Sequence, residues 1–97
     1  MATQNIFNSQ TTDGMGIGQT NSGDSVAIYT ITLGGSLEGA FCTVLYKPEN
    51  GTEWVPVGAL TDANPSKLIM ITSKGEVNCR LDGMKQDHAG ITVWLSS

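Results

Sequence analysis

Ninety-seven residues suit one compact domain, because a chain this short buries only about 60 to 65% of its unfolded surface and has too little apolar area for two cores. Only 14% of residues are charged, the net charge is −4, and the basic residues are a lone Arg80 and four scattered Lys; no clustered positive surface exists for a phosphate backbone, which excludes nucleic acid as an expected partner. Hydrophobic residues at 39% supply a single lean core, so subunit contacts are an expected source of further stability.

The N-terminal "MATQNIFNSQTT" has neither the basic nor the apolar region of a secretory signal, and no apolar run approaches the roughly 20 residues that span a bilayer. The chain is therefore expected to be made in a cytoplasm and to stay out of membranes. Residues 1–24 are low in complexity, with Ile6, Phe7, Met15 and Ile17 as their only large apolar side chains after Met1. Such a stretch builds no core of its own. It reads either as a frayed tail or as a flexible arm that orders against a neighbour, anchored by Ile6 and Phe7. The glycines of "GMGIG" would let its backbone lie close to another surface. No strand is expected before that run and no Lys-Ser/Thr follows, so it does not read as a phosphate loop.

From residue 25 the apolar period is two. "SVAIYTITL" (25–33) ends at Gly34-Gly35, and "GAFCTVLYK" (39–47) alternates Phe41, Thr43 and Leu45 against Cys42, Val44 and Tyr46. "EWVPV" (53–57) is a third strand, with Pro56 marking an edge or a bulge because it cannot donate to a ladder. "LIMIT" (68–72) turns at Ser73-Lys74-Gly75 into "EVNCRL" (76–81), where Val77, Cys79 and Leu81 face one way and Glu76, Asn78 and Arg80 the other. "ITVWL" (91–95) closes the chain with Ile91, Val93 and Leu95 inward, which pushes Trp94 outward. No window keeps a helical stripe with caps at both ends, so at most one helical turn is expected, within 84–88. Six short strands with turns between them predict an all-β, single antiparallel sandwich over 25–97, immunoglobulin-like or jelly-roll-like, preceded by an extended arm over 1–24.

In "KPENGTEW", Asn50-Gly51 supply positive φ at low cost and predict a tight hairpin, with Trp54 entering the core from its second strand. Asn50, Gly51 and Trp54 are thus structural candidates. Cys42 and Cys79 stand in no metal or redox spacing and read as buried free thiols, or as a disulfide between two strands. His88, the only histidine, has no orienting partners in sequence and reads as a loop residue; Asp82 and Asp87 share a loop but lack a spaced third ligand for a cation. No catalytic, cofactor or metal constellation emerges.

The spacing of Cys42, Trp54 and "DHAGITVWL" resembles immunoglobulin-like sandwiches in part: Asp87 and Ala89 fit, whereas Ile91 and Val93 replace the corner Tyr and the second Cys. A second resemblance covers roughly residues 12–97. "GAFCTVLYKPENGTEWVPVG", "CRLDGM" and "AGITVWLSS" look like the pattern of small virion proteins of tailed bacteriophages, with Pro48, Glu49 and Cys42 as departures. That resemblance implies a non-enzymatic structural component of the particle. The expectation is a capsid decoration (cement) protein on the virion surface that binds the major capsid protein or other virion subunits, as a homo-oligomer, with a trimer the form suggested for decoration proteins. The alternative is an adhesion or carbohydrate-binding module on a fibre or tail, with Trp94 and Tyr46 as stacking platforms. Ile6, Phe7, Met15, Ile17, Met84 and Trp94 are the apolar groups the small core does not obviously need, and they form the expected interface. Trp94 has a second reading, packed under the N-terminal segment of its own chain.

Overall fold

The computed structural model describes residues 3–96 and consists of nine strands. They are β1 (Thr3–Gln10), β2 (Gly14–Met15), β3 (Gln19–Thr20), β4 (Ala27–Gly34), β5 (Phe41–Lys47), β6 (Val55–Leu60), β7 (Ser66–Ile71), β8 (Glu76–Asp82) and β9 (Ile91–Ser96). Every strand expected from the alternation is present, and no helix occurs among the described residues.

One feature of the pairing organises the whole molecule. Thr3 lies opposite Ser96, Gly14 opposite Leu81, Ala27 opposite Ile71 and Cys42 opposite Leu60. The chain is one long antiparallel hairpin nested about its midpoint, and the turn at the tip is "PENG". There Gly51 N–H donates to Pro48 C=O at 2.9 Å, and Asn50 takes φ 62, as the third position of a type II turn requires. The reversal is thus centred on Glu49-Asn50, one residue before the expected Asn50-Gly51, inside a loop of residues 48–54.

Lateral pairing of β4 with β9 and of β5 with β8 rolls this hairpin into two sheets, in the orders β1-β9-β4-β7 and β2-β8-β5-β6, with β3 also on β8. Counting β2 and β3 as one interrupted strand, the topology is the eight-strand jelly roll. The immunoglobulin resemblance does not extend to this topology. Those domains place the strand of the first Cys and the strand of the Trp in opposite sheets, whereas here β5, which carries Cys42, pairs directly with β6, which follows Trp54, in one sheet.

Side chains from both inner faces meet in one core. Ile31 and Leu33 from β4, Ile71 from β7, and Ile91, Val93 and Leu95 from β9 face Cys42 and Val44 from β5 and Val77, Cys79 and Leu81 from β8. Each fully buried aliphatic side chain contributes about 1.5–3 kcal/mol, so this alternation is what the fold stands on. The faces expected for β8 and β9 are those observed.

The N-terminal segment corrects the expectation of a flexible arm. Among the described residues it belongs to the sandwich: β1 pairs with β9, and Ile6 and Phe7 are only 1 and 3% exposed, inside the core. A register shift between Asn5 and Phe7 inserts an extra residue, and the resulting bulge turns two consecutive apolar side chains inward. Residues 1 and 2, part of the same expectation, lie outside the described residues. Further on, Gly16 N–H donates to Cys79 C=O and Ile17 N–H to Ile6 C=O, so this segment bridges the two sheets. A Cβ at residue 16 would stand 2.5 Å from Ile6 Cγ2, which is why a glycine is there; the close surface is the chain's own first strand.

Trp54 is the other correction. It is half-buried and outside the core, because it precedes β6 and lies on the outer side of the second sheet. Lys47 Nζ sits 4.7 Å from its ring centroid and bridges to Glu76 at 3.6 Å, while Gly18 packs on the ring edge. Pro56 stands on edge strand β6 beside a bulge, as its missing N–H demands.

Candidate functional site

Of the six expected interface residues, the fold leaves two available. Ile6 and Phe7 are in the core, and Met84 packs partly against it while its N–H donates to Asp13 Oδ1 at 2.8 Å. Trp94 does point outward, but its six-membered ring packs over Gly34 of β4, so that a Cβ there would stand 2.5 Å from Cη2 and Cζ3. It lies opposite Asn5 in the β1–β9 pairing, which joins the N-terminal segment to the last strand, side by side in one sheet. Met15 and Ile17 remain exposed.

The most exposed aromatic is Phe41, at 69%, on the first residue of β5. The sequence pattern placed Phe41, Thr43 and Leu45 on a common face and left open which side of the sheet that face occupies. It is the outer one, with Phe41 exposed, Thr43 half-buried and Leu45 covered: across it, Met15, Arg80, Thr43 and Ala59 form a row over β2, β8, β5 and β6, and Phe41 stands opposite Asp82. Arg80 Nε and Asp82 Oδ2 pair at 2.9 Å between the apolar groups. A groove of about 430 Å³ opens beside Phe41, lined by Leu37, Thr43, Ala59, Thr61 and Asp62.

The wall of this groove is held rigidly. Leu37 N–H donates to Asp62 Oδ1 at 2.9 Å, and Leu37 C=O accepts from His88 Nε2, also at 2.9 Å. His88 Nδ1 in turn accepts from Gly90 N–H at 2.9 Å, which fixes the ring in its Nε2–H tautomer. With both nitrogens engaged and its side chain fully buried, His88 ties the loop after β8 to the loop before β5. This loop residue works as a pin between backbones, a role its burial reveals and its sequence neighbours did not. On the solvent side of the same junction, Lys85 Nζ meets Glu38 Oε1 at 2.6 Å. That hydrogen bond holds the Glu38 carboxyl below the usual carboxylate range and raises the Lys85 ammonium.

Cys42 and Cys79 are free and buried on adjacent strands of one sheet, offset diagonally: Cys42 lies opposite Leu81 and Cys79 opposite Val44. The hydrogen-bonded neighbour Cys42 and then burial push the Cys79 thiol up, which disfavours the thiolate that nucleophilic chemistry needs. Asp82 is paired with Arg80 and Asp87 lies 3.9 Å from Lys85, so the two acids do not converge. Among the described residues no group of three His, Cys, Asp or Glu side chains is placed to hold a metal ion.

What the geometry defines is a class, a jelly-roll sandwich with an apolar, ion-pair-centred outer face and a pinned groove at one end. Comparison with protein-family models, with curated proteins and with solved structures finds no match to the chain.

Proposed function

We propose that this chain is a non-enzymatic structural protein of a tailed-phage virion, a capsid decoration protein that docks on the head shell through the Phe41 face. The observation that carries the reading is the arrangement of Phe41 and Met15, exposed apolar groups flanking the Arg80–Asp82 pair on one face. Apolar anchors with a polar centre suit recognition of another protein surface, the anchors supplying affinity and the ion pair orientation. The phage-like stretch beginning at Gly39 contains Phe41, which lends the resemblance a physical role. Jelly rolls serve capsids and lectins alike, so the fold is compatible with this reading without singling it out. The proposed partner is the major capsid protein or another virion subunit, and the proposed location is the capsid surface. The clamp is the sheet face and not an N-terminal arm, since removing β1 would open the core.

Co-sedimentation with purified phage heads tests this. Wild-type protein is expected to pellet with the heads, and Phe41→Asp to stay in the supernatant with an unchanged circular dichroism spectrum. Equal pelleting of the two would remove the docking face from the account.

The glycan-binding alternative loses its two platforms, since Trp94 lies on Gly34 and Tyr46 packs against the core with its hydroxyl bonded to that of Thr72. What favours it is Phe41 itself, an exposed ring above a groove carrying Thr43, Thr61 and Asp62. A glycan array with Phe41→Ala as control separates the readings: a saccharide signal lost in the variant supports the alternative, and a blank array supports docking on protein.

A further inference from the structure

Four edges bound the two sheets, and three are blunted. β1 is broken by register shifts on either side of Phe7 and carries Ser9 at φ 54. β2 and β3 are two residues each, and β6 contains Pro56 and a bulge. Devices of this kind keep an edge from pairing with strands of other chains. β7 is different. It runs Ser66–Ile71 in unbroken register with β4, from Ala27 opposite Ile71 to Thr32 opposite Ser66, and pairs with no other strand among the described residues. Its one charge, Lys67, is turned to the inner side, where its ammonium lies over Gly58 of β6 and leaves the outer face of the strand uncharged.

The flank that β7 borders is also the most apolar part of the surface. Leu68, Met70 and Ile28 are 70, 65 and 60% exposed on the outer face of β7 and β4. Val26 precedes them on β4's side, and Val55 and Val57 lie on the neighbouring β6 edge, so most of the exposed large hydrophobics gather here. Free backbone N–H and C=O groups along a straight strand call for another strand, and the flanking side chains call for an apolar one.

We propose that β7 docks a second copy of this chain, antiparallel across a twofold axis, so that the sheet β1-β9-β4-β7 continues into its counterpart. A twofold axis normal to the sheet keeps both outer faces on one side, so outer residues have to meet outer residues. An axis through Ile69 satisfies this: Leu68 of each copy then faces Met70 of the other, and Lys67 faces Ile71, with no like charges opposed. The strand backbone and the Leu68–Met70 pairs form the centre of this contact, with Ile28, Val26, Val55 and Val57 as its apolar surroundings. This contact lies on a different sheet from the Phe41 face and holds whether or not the partner there is a capsid. It makes the oligomer twofold, in place of the threefold that the phage resemblance suggested.

Light scattering coupled to size exclusion tests the pairing on the full chain. Wild type is expected at twice the 10.2 kDa chain mass. Met70→Lys and Leu68→Lys are expected near one chain mass with unchanged circular dichroism, because each substitution enters a twofold interface twice and weakens association by about a hundredfold. Phe41→Asp, expected to abolish shell binding, should still run as a dimer, which separates failure of this contact from failure of the docking reading. A wild-type monomer at high micromolar concentration, a trimer mass, or dimers indifferent to both lysines would overturn the proposal. So would hydrogen exchange that leaves β7 amides equally unprotected at low and high protein concentration.

Discussion

Replacing Gly34 by Ala puts the packing of the outer face of the first sheet to a quantitative test. The new Cβ would stand 2.5 Å from Cη2 and Cζ3 of Trp94, where ordinary carbon contacts are about 3.5–4.0 Å, so the ring has to retreat by about 1 Å. Two effects oppose each other. Gly34 is not among the residues with positive φ, so Ala is conformationally acceptable there and removes excess unfolded-state freedom, a gain of about 0.5–1 kcal/mol. Crowding a packed site costs about 1–3 kcal/mol, and the overlap here is with a rigid ring. Crowding should win, for a net loss of about 1–2 kcal/mol. The sign should reverse once the ring is gone: in a Trp94→Ala background, Gly34→Ala is expected to stabilise by about 0.5–1 kcal/mol. Urea denaturation followed by circular dichroism, with Trp54 fluorescence as a second probe, gives all four corners of the cycle. Equal effects of Gly34→Ala in both backgrounds would show that Trp94 does not lie on Gly34 and would return it to the pool of docking residues.

Other perturbations probe the tip, the pin and the surface ion pair. Asn50→Gly is expected to be neutral within about 0.5 kcal/mol, whereas Asn50→Val should cost about 1–2 kcal/mol because a β-branched residue is forced to positive φ. Since the tip closes the shortest loop of the nested hairpin, stopped-flow kinetics should place that loss in the refolding rate; a change confined to unfolding would refute an early-forming tip. His88→Ala leaves Leu37 C=O and Gly90 N–H without their partners and is expected to cost about 2–5 kcal/mol in urea unfolding; a loss below about 0.5 kcal/mol would mean that the ring is no pin. Glu38, lowered in the folded state from 4.5, stabilises above that value and loses its contribution as pH falls through the folded value. Lys85, raised from 10.5, stabilises below that value and loses its contribution as pH rises through the folded one. Glu38→Gln should therefore flatten the urea-midpoint profile both below about pH 4.5 and above about pH 10.5, and an unchanged profile would show that the pair does not persist in solution.

Alternation along the chain was enough to specify six strands, the lack of helix, and the inward sets on β8 and β9, because in a regular strand neighbouring side chains must point to opposite faces. The Asn50-Gly51 signal marked the reversal to within one residue, since few side chains tolerate positive φ. What the tertiary structure alone decided is where that rule breaks and which of two faces stays uncovered. β1 was illegible because its bulge turns adjacent Ile6 and Phe7 inward, a pattern with no period, and because its partner β9 lies at the other end of the chain. Trp54 looked like core until the long loop after the turn delivered it to the outside of the sheet. Phe41 on β5, and Leu68 and Met70 on β7, sit on faces that periodicity groups correctly and cannot orient, since exposure depends on whether another layer or strand arrives to cover them. Local sterics wrote the strands, and long-range pairing chose the surface.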